Sequence, residues 1–313
     1  MEITREEMVR QIRAMLKRGG YRLSSGLSAS SSYDIIGSRG NDILIIKVLY
    51  NVDTLKPEIA SELKLLSNIL KAKAIIIGSR CGMGPLENSI LYSRYGVPVF
   101  SLRTFSDFIN YEQYPIGFAA PGGFYVKIKS RALKETREKK GISLGELAKV
   151  ANVSRRSIQL YEEGQTAISI DVMMKIEDYL NVDLIDTVDP FQNLPDMDEI
   201  EKFSMPRDNF DREIEELFKK MGSFVYFTRK SNVDGLSSID DIMFLGFSKM
   251  RDTLMEKVKV IEDIAFITEK YGIVFTELKD VDKDLPILNL KEIENTDKES
   301  LKSLILEKRY KYY

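Results

Sequence analysis

Histidine is absent from the 313 residues, and cysteine occurs once, at Cys81. The first absence removes His-based general acid/base catalysis, Ser-His-Asp and Cys-His nucleophile activation, and His-containing zinc sites. The second removes an intramolecular disulfide framework and any zinc ribbon or iron–sulfur site built from one chain. It fits a reducing cytoplasm, the expected location. What remains for enzymology is carboxylate and lysine chemistry with magnesium. No run approaches the roughly 18 apolar residues of a membrane span. The first 20 residues, MEITREEMVRQIRAMLKRGG, are mixed in charge and lack an apolar h-region, so neither membrane nor secretory signal is expected. Excess charge of one sign is also missing. With a net charge of −2, the whole chain is no basic DNA-coating protein.

What is present is 43% hydrophobic and 30% charged residues, the balance of a soluble globular protein of two or three domains. The charge is unevenly spread. Between Lys129 and Glu163 nine Lys/Arg face five Glu, a local +4 that leaves −6 on the rest. A basic module on an acidic body is the footprint of localised nucleic-acid binding.

Thr4 to Glu7 has the pattern of a capping box, opening a helix with Met8, Ile12, Met15 and Leu16 on one face. SYDIIGS and DILIIKVLY flank Arg39-Gly40-Asn41 as a β-hairpin, and Pro57 starts a helix leading to the buried strand AKAIIIGS. A helix from Leu86 to Tyr95, the strand VPVFSL and a short helix complete an α/β unit at 1–118. Residues 119–129, with Ala120-Pro121-Gly122-Gly123, are expected as a linker. After the module, 183–211 is expected as an acidic linker, carrying seven Asp/Glu and no Lys or Arg from Asp183 to Glu201. Residues 212–313 return to α/β grammar, ending in a helix opened by Thr296-Asp297-Lys298-Glu299. REEMVRQIRAMLKRGGYRLSS lines up with DREIEELFKKMGSFVYFTRKS, which raises a duplicated α/β unit against the alternative that helix-then-strand order recurs by chance.

The module at 130–182 has Leu133, Ile142, Leu144, Leu147, Ala148, Val153, Ile158, Tyr161, Ile170, Val172, Ile176 and Leu180 spaced for one small core. Ser143 and Glu146 form a capping box, Asn152 suits a left-handed turn, and Ser154 caps a helix that Gly164 ends. Two short helices joined by a three-residue turn have the helix-turn-helix signature.

With Gly141-Ile142-Ser143, Glu146-Leu147-Ala148, Val153-Ser154, Ser157-Ile158 and Tyr161-Glu162-x-Gly164, the module resembles the lambda-repressor/Cro-like (Xre-type) DNA-binding domain. The whole chain resembles a family of archaeal HTH-type transcriptional regulators with this module in mid-chain. The resemblance implies that Arg155 to Leu160 is the recognition helix, entering the major groove of double-stranded DNA by its first turn. Arg155 and Arg156 then hold base-contacting positions, where each either pairs with guanine or grips phosphate. Ser154 and the amides beside it fall near phosphate, as do Thr166 and Ser169. The expected DNA-binding set is Ser143, Ser154, Arg155, Arg156, Ser157, Gln159, Leu160 and Thr166. Leu144 stands where relatives often have a phosphate-holding Gln, and Leu160 where a polar residue is frequent. Arg137 and Glu162 match a pair that bridges helices in relatives, an architectural role.

SYDIIGS, GNDILIIKV, a helix and AKAIIIGS also resemble the order of the PD-(D/E)xK nuclease fold. Asp34 and Lys47 fall where its first carboxylate and its lysine stand, but Ile45 occupies the place of the second acid, so magnesium loses part of its ligand set. Asp34 as a strand starter and Lys47 as a surface lysine are the bland alternative.

The expected architecture is a multidomain α/β plus all-α chain: a central lambda-repressor-like helical domain flanked by two α/β domains, the first restriction-endonuclease-like and inactive. The expected function is a sequence-specific DNA-binding transcriptional regulator, a homodimer with an effector or transcription partner, with no catalytic residue, metal or cofactor. The alternatives are a magnesium-dependent nuclease or resolvase, and an interaction scaffold with a relict reader.

Overall fold

The computed structural model describes residues 3–25, 31–82, 84–192, 205–239, 241–279, 286–293 and 296–311. Helix α1 (Arg5–Arg18) starts where Thr4 Oγ1 accepts from the Glu7 amide, buries Met8, Ile12 and Leu16, and ends before Gly20 at φ +80°. β1 (Arg22–Leu23), β2 (Ile35–Arg39) and β3 (Asp42–Asn51) form an antiparallel meander with Ile36 opposite Ile45. α2 (Pro57–Leu70) returns the chain so that β4 (Lys73–Cys81) lies parallel to β3. Ile75, Ile76 and Ile77 of β4 are fully buried, as the uninterrupted apolar run requires of a strand covered on both faces.

The expected helix from Leu86 to Tyr95 does not form. After the short β5 (Gly84–Pro85), β6 (Ile90–Arg94) and β7 (Val97–Ser101) make a hairpin through Tyr95 at φ 50° and Gly96 at φ 80°. Two successive positive φ values favour a tight hairpin turn, and the apolar alternation of Ile90 and Tyr92 was strand period rather than helix period. β7 runs parallel to β4, and α3 (Leu102–Tyr111) packs back on the sheet with Phe105 and Phe108 buried.

Residues 119–129 contain a paired strand, not a linker. β8 (Gly117–Ala120) joins the body through β6 and pairs with β9 (Gly123–Ile128), turning at Gly122 and Gly123, both at positive φ. β9 then pairs with two strands of the helical module, described below. The module comprises α4 (Ser130–Lys139), α5 (Leu144–Ala151), α6 (Arg155–Glu162), β10 (Ile168–Ser169), α7 (Ile170–Leu180) and β11 (Ile185–Asp186). Its core holds Leu133, Leu147, Ala148, Ile158, Tyr161, Ile176 and Leu180, while Ile142, Leu144, Val153, Ile170 and Val172 are only partly buried. Val126, Ile168, Met173 and Leu184 complete it, because β10 and β11 both pair with β9. The first part of the expected acidic linker is therefore tied into the sheet, and its acids at 196, 198, 199 and 201 lie outside the described residues.

The third unit repeats the first. α8 (Asn209–Lys220) precedes β12 (Val225–Phe227), β13 (Gly235–Ile239) and β14 (Asp241–Ser248); α9 (Arg251–Thr268) then leads to β15 (Tyr271–Thr276), followed by β16 (Ile287–Asn289), α10 (Leu290–Ile293) and α11 (Lys298–Lys308). Asp297, not Thr296, caps α11. The order β12-β13-β14-β15-β16 has two antiparallel pairings and then two parallel ones, as does β1-β2-β3-β4-β7. The two units also grip each other reciprocally. Glu62 of α2 accepts from the amides of Arg229 and Lys230 after β12, and Asp263 of α9 accepts from the amide of Ser25 after β1. One core runs through both, with Ile36, Leu63 and Ile76 joined to Leu236, Val258 and Ile261. Each such fully buried side chain contributes roughly 1.5–3 kcal/mol relative to exposure, so the two units fold as one body.

Candidate nucleic-acid interface

Two helix starts built by serine define the exposed end of the module. Ser143 Oγ accepts from the Glu146 amide at 3.1 Å, and Ser154 Oγ accepts from the Ser157 amide at 3.0 Å. The Glu146 carboxylate does not return to the Ser143 amide as a full capping box requires; it accepts from the Tyr179 hydroxyl at 2.8 Å, tying α5 to α7. Asn152 takes the left-handed conformation at φ 55°, which lets α6 leave α5 at a sharp angle within three residues. The two starts lie side by side, since a Cβ on Gly145 would stand 3.6 Å from Arg155 Cδ.

Of the eight expected residues, Ser154, Arg155, Arg156 and Gln159 are exposed along one turn of α6. Neither Arg155 nor Arg156 has an ion pair or side-chain hydrogen bond among the described residues. Gln159 donates to Glu163 Oε1 at 2.7 Å one turn on, and the Ser157 and Ser154 hydroxyls share a hydrogen bond. Leu160 is half-buried, Thr166 is exposed in the loop after α6, and Ser143 stands at the start of the other helix. Ser169, at the N-cap of α7, makes no side-chain cap bond, leaving its hydroxyl available at a helix amino end. The set brings together uncompensated guanidinium groups, hydroxyls and helix-start amides, the donor types that grip phosphate and read base edges.

Behind this end Arg137 and Glu162 lock α4 to α6. Arg137 Nε and Nη2 meet the two Glu162 oxygens at 2.6 and 2.9 Å, and Nη1 donates to Ile142 O at 3.0 Å. With Arg137 only 8% exposed, the fork is nearly saturated, and the Glu162 hydrogen bond holds the guanidinium above its ordinary pKa. Lys140 Nζ donates to Leu180 O at 2.6 Å, closing the carboxyl end of α7, where a cation is favoured.

Residues 133–186 match the helix-turn-helix family, and residues 5–115 match the PD-(D/E)XK superfamily domain. A relative from Thermoplasma acidophilum, named "Putative HTH-type transcriptional regulatory protein", is 35% identical over 99% of this chain and 99% of its own. Relatives of the same name from Archaeoglobus fulgidus and Methanocaldococcus jannaschii are 38% and 31% identical, over 76% and 95% of this chain and 78% and 95% of theirs. The chain belongs to this family of archaeal HTH-type transcriptional regulatory proteins. No solved structure gives a significant match. Among the described residues, no helix is long and apolar enough to cross a membrane.

In this family member the nuclease-like site is filled by the protein's own cations. Asp34 Oδ2 accepts from the Val48 amide at 2.7 Å, and its Oδ1 lies 2.5 Å from Arg5 Nη2 and 3.5 Å from Lys47 Nζ. Lys47 is no surface lysine: it is 5% exposed and donates to Ser31 O at 2.6 Å. Burial pulls its ammonium below the ordinary lysine pKa, more than Asp34 pulls it up. Ile45 is wholly buried in the core, and no group of three His, Cys, Asp or Glu among the described residues could hold a metal. The residues do not fit a magnesium site.

The carboxy-terminal unit carries the same arrangement, which the sequence alignment did not reveal. Asp234 accepts from the Phe247 amide at 2.7 Å, with Arg207 Nη1 at 3.8 Å and a lysine Nζ at 2.8 Å. That lysine is Lys257 of α9, because the position equivalent to Lys47 is Gly246. A Cβ at Gly246 would stand 2.8 Å from Lys257 Cγ, so glycine there is what lets the helix lysine reach the carboxylate. Phe244 occupies the second acid's place as Ile45 does. The only warning in the sequence was an aspartate directly before each second strand.

Proposed function

We propose that the chain is a sequence-specific, double-stranded-DNA-binding transcriptional regulator of the cytoplasm, without enzymatic activity, which inserts the first turn of α6 into the major groove. The observation that carries the reading is the exposure of Arg155 and Arg156 beside the capped start of α6, with no counterion among the described residues. Arg155, Arg156 and Gln159 face base edges or the nearest phosphates; Ser143, Ser154, Ser157 and Thr166 position the backbone. Leu160 packs its half-buried side chain toward the module and meets a thymine methyl at most. The functional units are the body formed by 1–118 and 212–313, and the reader at 130–182 mounted on it by β9. A homodimer supplies the second half-site, about one turn of DNA or 34–36 Å away.

Selection of bound sequences from random duplex DNA by the full chain tests this. Enrichment of one two-fold-related sequence is the expected result. Binding that is weak and indifferent to sequence would instead favour an interaction scaffold carrying a relict reader. The family match over residues 5–115 makes nuclease activity the second reading to test. Magnesium-dependent cleavage of duplex or branched DNA, lost in Asp34→Ala, would establish it; the Arg5 guanidinium on Asp34 supports no cleavage.

A further inference from the structure

At the seam between body and reader lies a cavity of about 550 Å³. Lys64 of α2, Tyr92 of β6 and Pro98 of β7 wall it on the body side, and Phe118 of β8, Lys127 of β9 and Val188 after β11 wall it on the reader side. A smaller hollow of about 230 Å³ shares Lys64, Gly96, Pro98 and Pro190 and adds Lys71 and Lys73. Sites for small molecules commonly measure about 300–1,000 Å³ and occur at junctions of this kind.

We propose that this cavity binds a small amphipathic anion, an apolar body bearing one carboxylate, sulfonate or phosphate group, and that the anion acts as effector of the reader. The effector role rests on the DNA-binding reading; the site itself does not. Tyr92, Pro98, Phe118 and Val188 supply the apolar walls. Lysines supply the charge: Lys64 and Lys127 on the larger cavity, with Lys71 and Lys73 across the shared wall. Lys73 is already paired with Asp42 at 2.7 Å, which makes Lys127 and Lys71 the principal binding charges. Among the described residues the one carboxylate in the walls is Asp189, which points into its own turn, accepting from the Phe191 amide at 2.9 Å. Among the described residues Lys127 donates only to the neutral amide oxygen of Gln192, at 3.2 Å, a partner that an anion outcompetes.

The cavity reaches the reader through one strand. The Phe118 ring stacks on Tyr125, with centroids 6.1 Å apart. Tyr125 lies opposite Ser169, the N-cap of α7, and Val126 lies opposite Ile168 in the reader's core. Lys127, opposite Asp186, ties the same strand to β11. A ligand seated on Phe118 and Lys127 therefore shifts the equilibrium of the reader's mount by whatever difference in affinity it has for the mount's arrangements.

The probe is 8-anilinonaphthalene-1-sulfonate, an aromatic sulfonate, titrated into the full chain without DNA. Saturable binding is expected, weakened about tenfold in Lys64→Glu and in Lys127→Glu and abolished in Ala119→Trp, which fills the cavity. Lys127 is exposed and Lys64 half-buried, and unchanged circular dichroism certifies the fold of both variants. Fluorescence that is absent, or equal in wild type and lysine variants, overturns the site. With a selected DNA duplex, saturating probe is expected to change affinity at least threefold in wild type and not in Lys127→Glu; an unchanged wild-type affinity overturns the effector role. Because probe binding is read without DNA, failure of the site and failure of the DNA-binding reading are told apart.

Discussion

Asp34 and Asp234 hold the same place in two copies of one fold, each accepting a hydrogen bond at 2.7 Å from an amide of the adjoining third strand. Each also faces an arginine that leads into the unit's first helix, and a lysine. The lysine comes from β3 in one copy and from α9 in the other. The charges are kept while the element that delivers the lysine changes.

Removing these carboxylates should therefore cost stability. Asp34→Asn strands Lys47 and Arg5 beside an uncharged group, and with Asp34 and Lys47 nearly buried the expected loss is about 3–5 kcal/mol. Asp234→Asn should cost less, about 1–3 kcal/mol, because Lys257 and Arg207 are 22% and 36% exposed. Urea unfolding of the full chain measures both, and an Asp34→Asn midpoint equal to wild type would sink the structural role.

Gly246→Ala tests how the second cluster is assembled. The added methyl meets Lys257 Cγ and also Ile261 Cγ1, at 3.0 Å. The lysine stem gives way first, so a loss of about 1–3 kcal/mol is expected. In Lys257→Met the same substitution should cost measurably less; equal losses in the two backgrounds would mean that Gly246 serves only packing.

On the reader, Arg155→Ala with Arg156→Ala should leave the melting temperature within a degree or two and remove specific binding. An arginine paired with guanine is worth about 1–3 kcal/mol of discrimination. Fluorescence anisotropy on a selected duplex and a scrambled one separates the two effects. If the pair only holds phosphate, affinity falls equally on both sequences.

Glu162→Gln leaves the Arg137 guanidinium buried without its forked partner, and about 3 kcal/mol should be lost. Arg137→Met combined with Glu162→Met should recover most of that by filling the space with apolar atoms. Hydrogen exchange of amides in 130–182 reads the reader's stability apart from the body's. A double variant no better than the single one would contradict an architectural role.

Much of this was legible in sequence, for reasons that differ by region. The reader was readable because caps and turn chemistry are local: Ser143, Asn152, Ser154 and Gly164 each act within four residues. Its mount was not, since Pro121-Gly122-Gly123 has the composition of a loop whether or not the flanking residues find a strand partner. β9 is a strand because β8, β10 and β11, two of them over forty residues away, satisfy its backbone. The strand Ile90–Arg94 reads as helix in sequence because five residues are too few to separate the two periods. The duplication was half-visible: helix and strand order gave it, whereas the Asp34 and Asp234 clusters depend on register. Lys257 could not have been matched to Lys47 by alignment, because it sits on another element.

Acid should loosen the start of α8. The Asp211 amide and the Lys249 ammonium hold the Asp208 carboxyl below the ordinary aspartate range. Its folded pKa lies under its unfolded one, so the stability it lends is complete above about pH 4 and lost as pH falls through the lowered value. Asp208→Asn keeps an acceptor at the N-cap and should change stability at pH 7 by less than about 1 kcal/mol while flattening the acid limb. Parallel wild-type and variant curves below pH 4 would exclude this contribution.

The shared core of the two α/β units also sets an order of events on the ribosome. Leu63 is made 198 residues before Ile261, the helix residue in the same core cluster, and the whole reader is synthesised between them. At about 5–20 residues per second, the apolar face of the first unit waits roughly 10–40 s for its cover. During that interval the nascent chain exposes α2 and β2 beside an already foldable reader. A message truncated after the reader would therefore yield a sticky half-body, prone to aggregation or to capture by chaperones, rather than a smaller regulator.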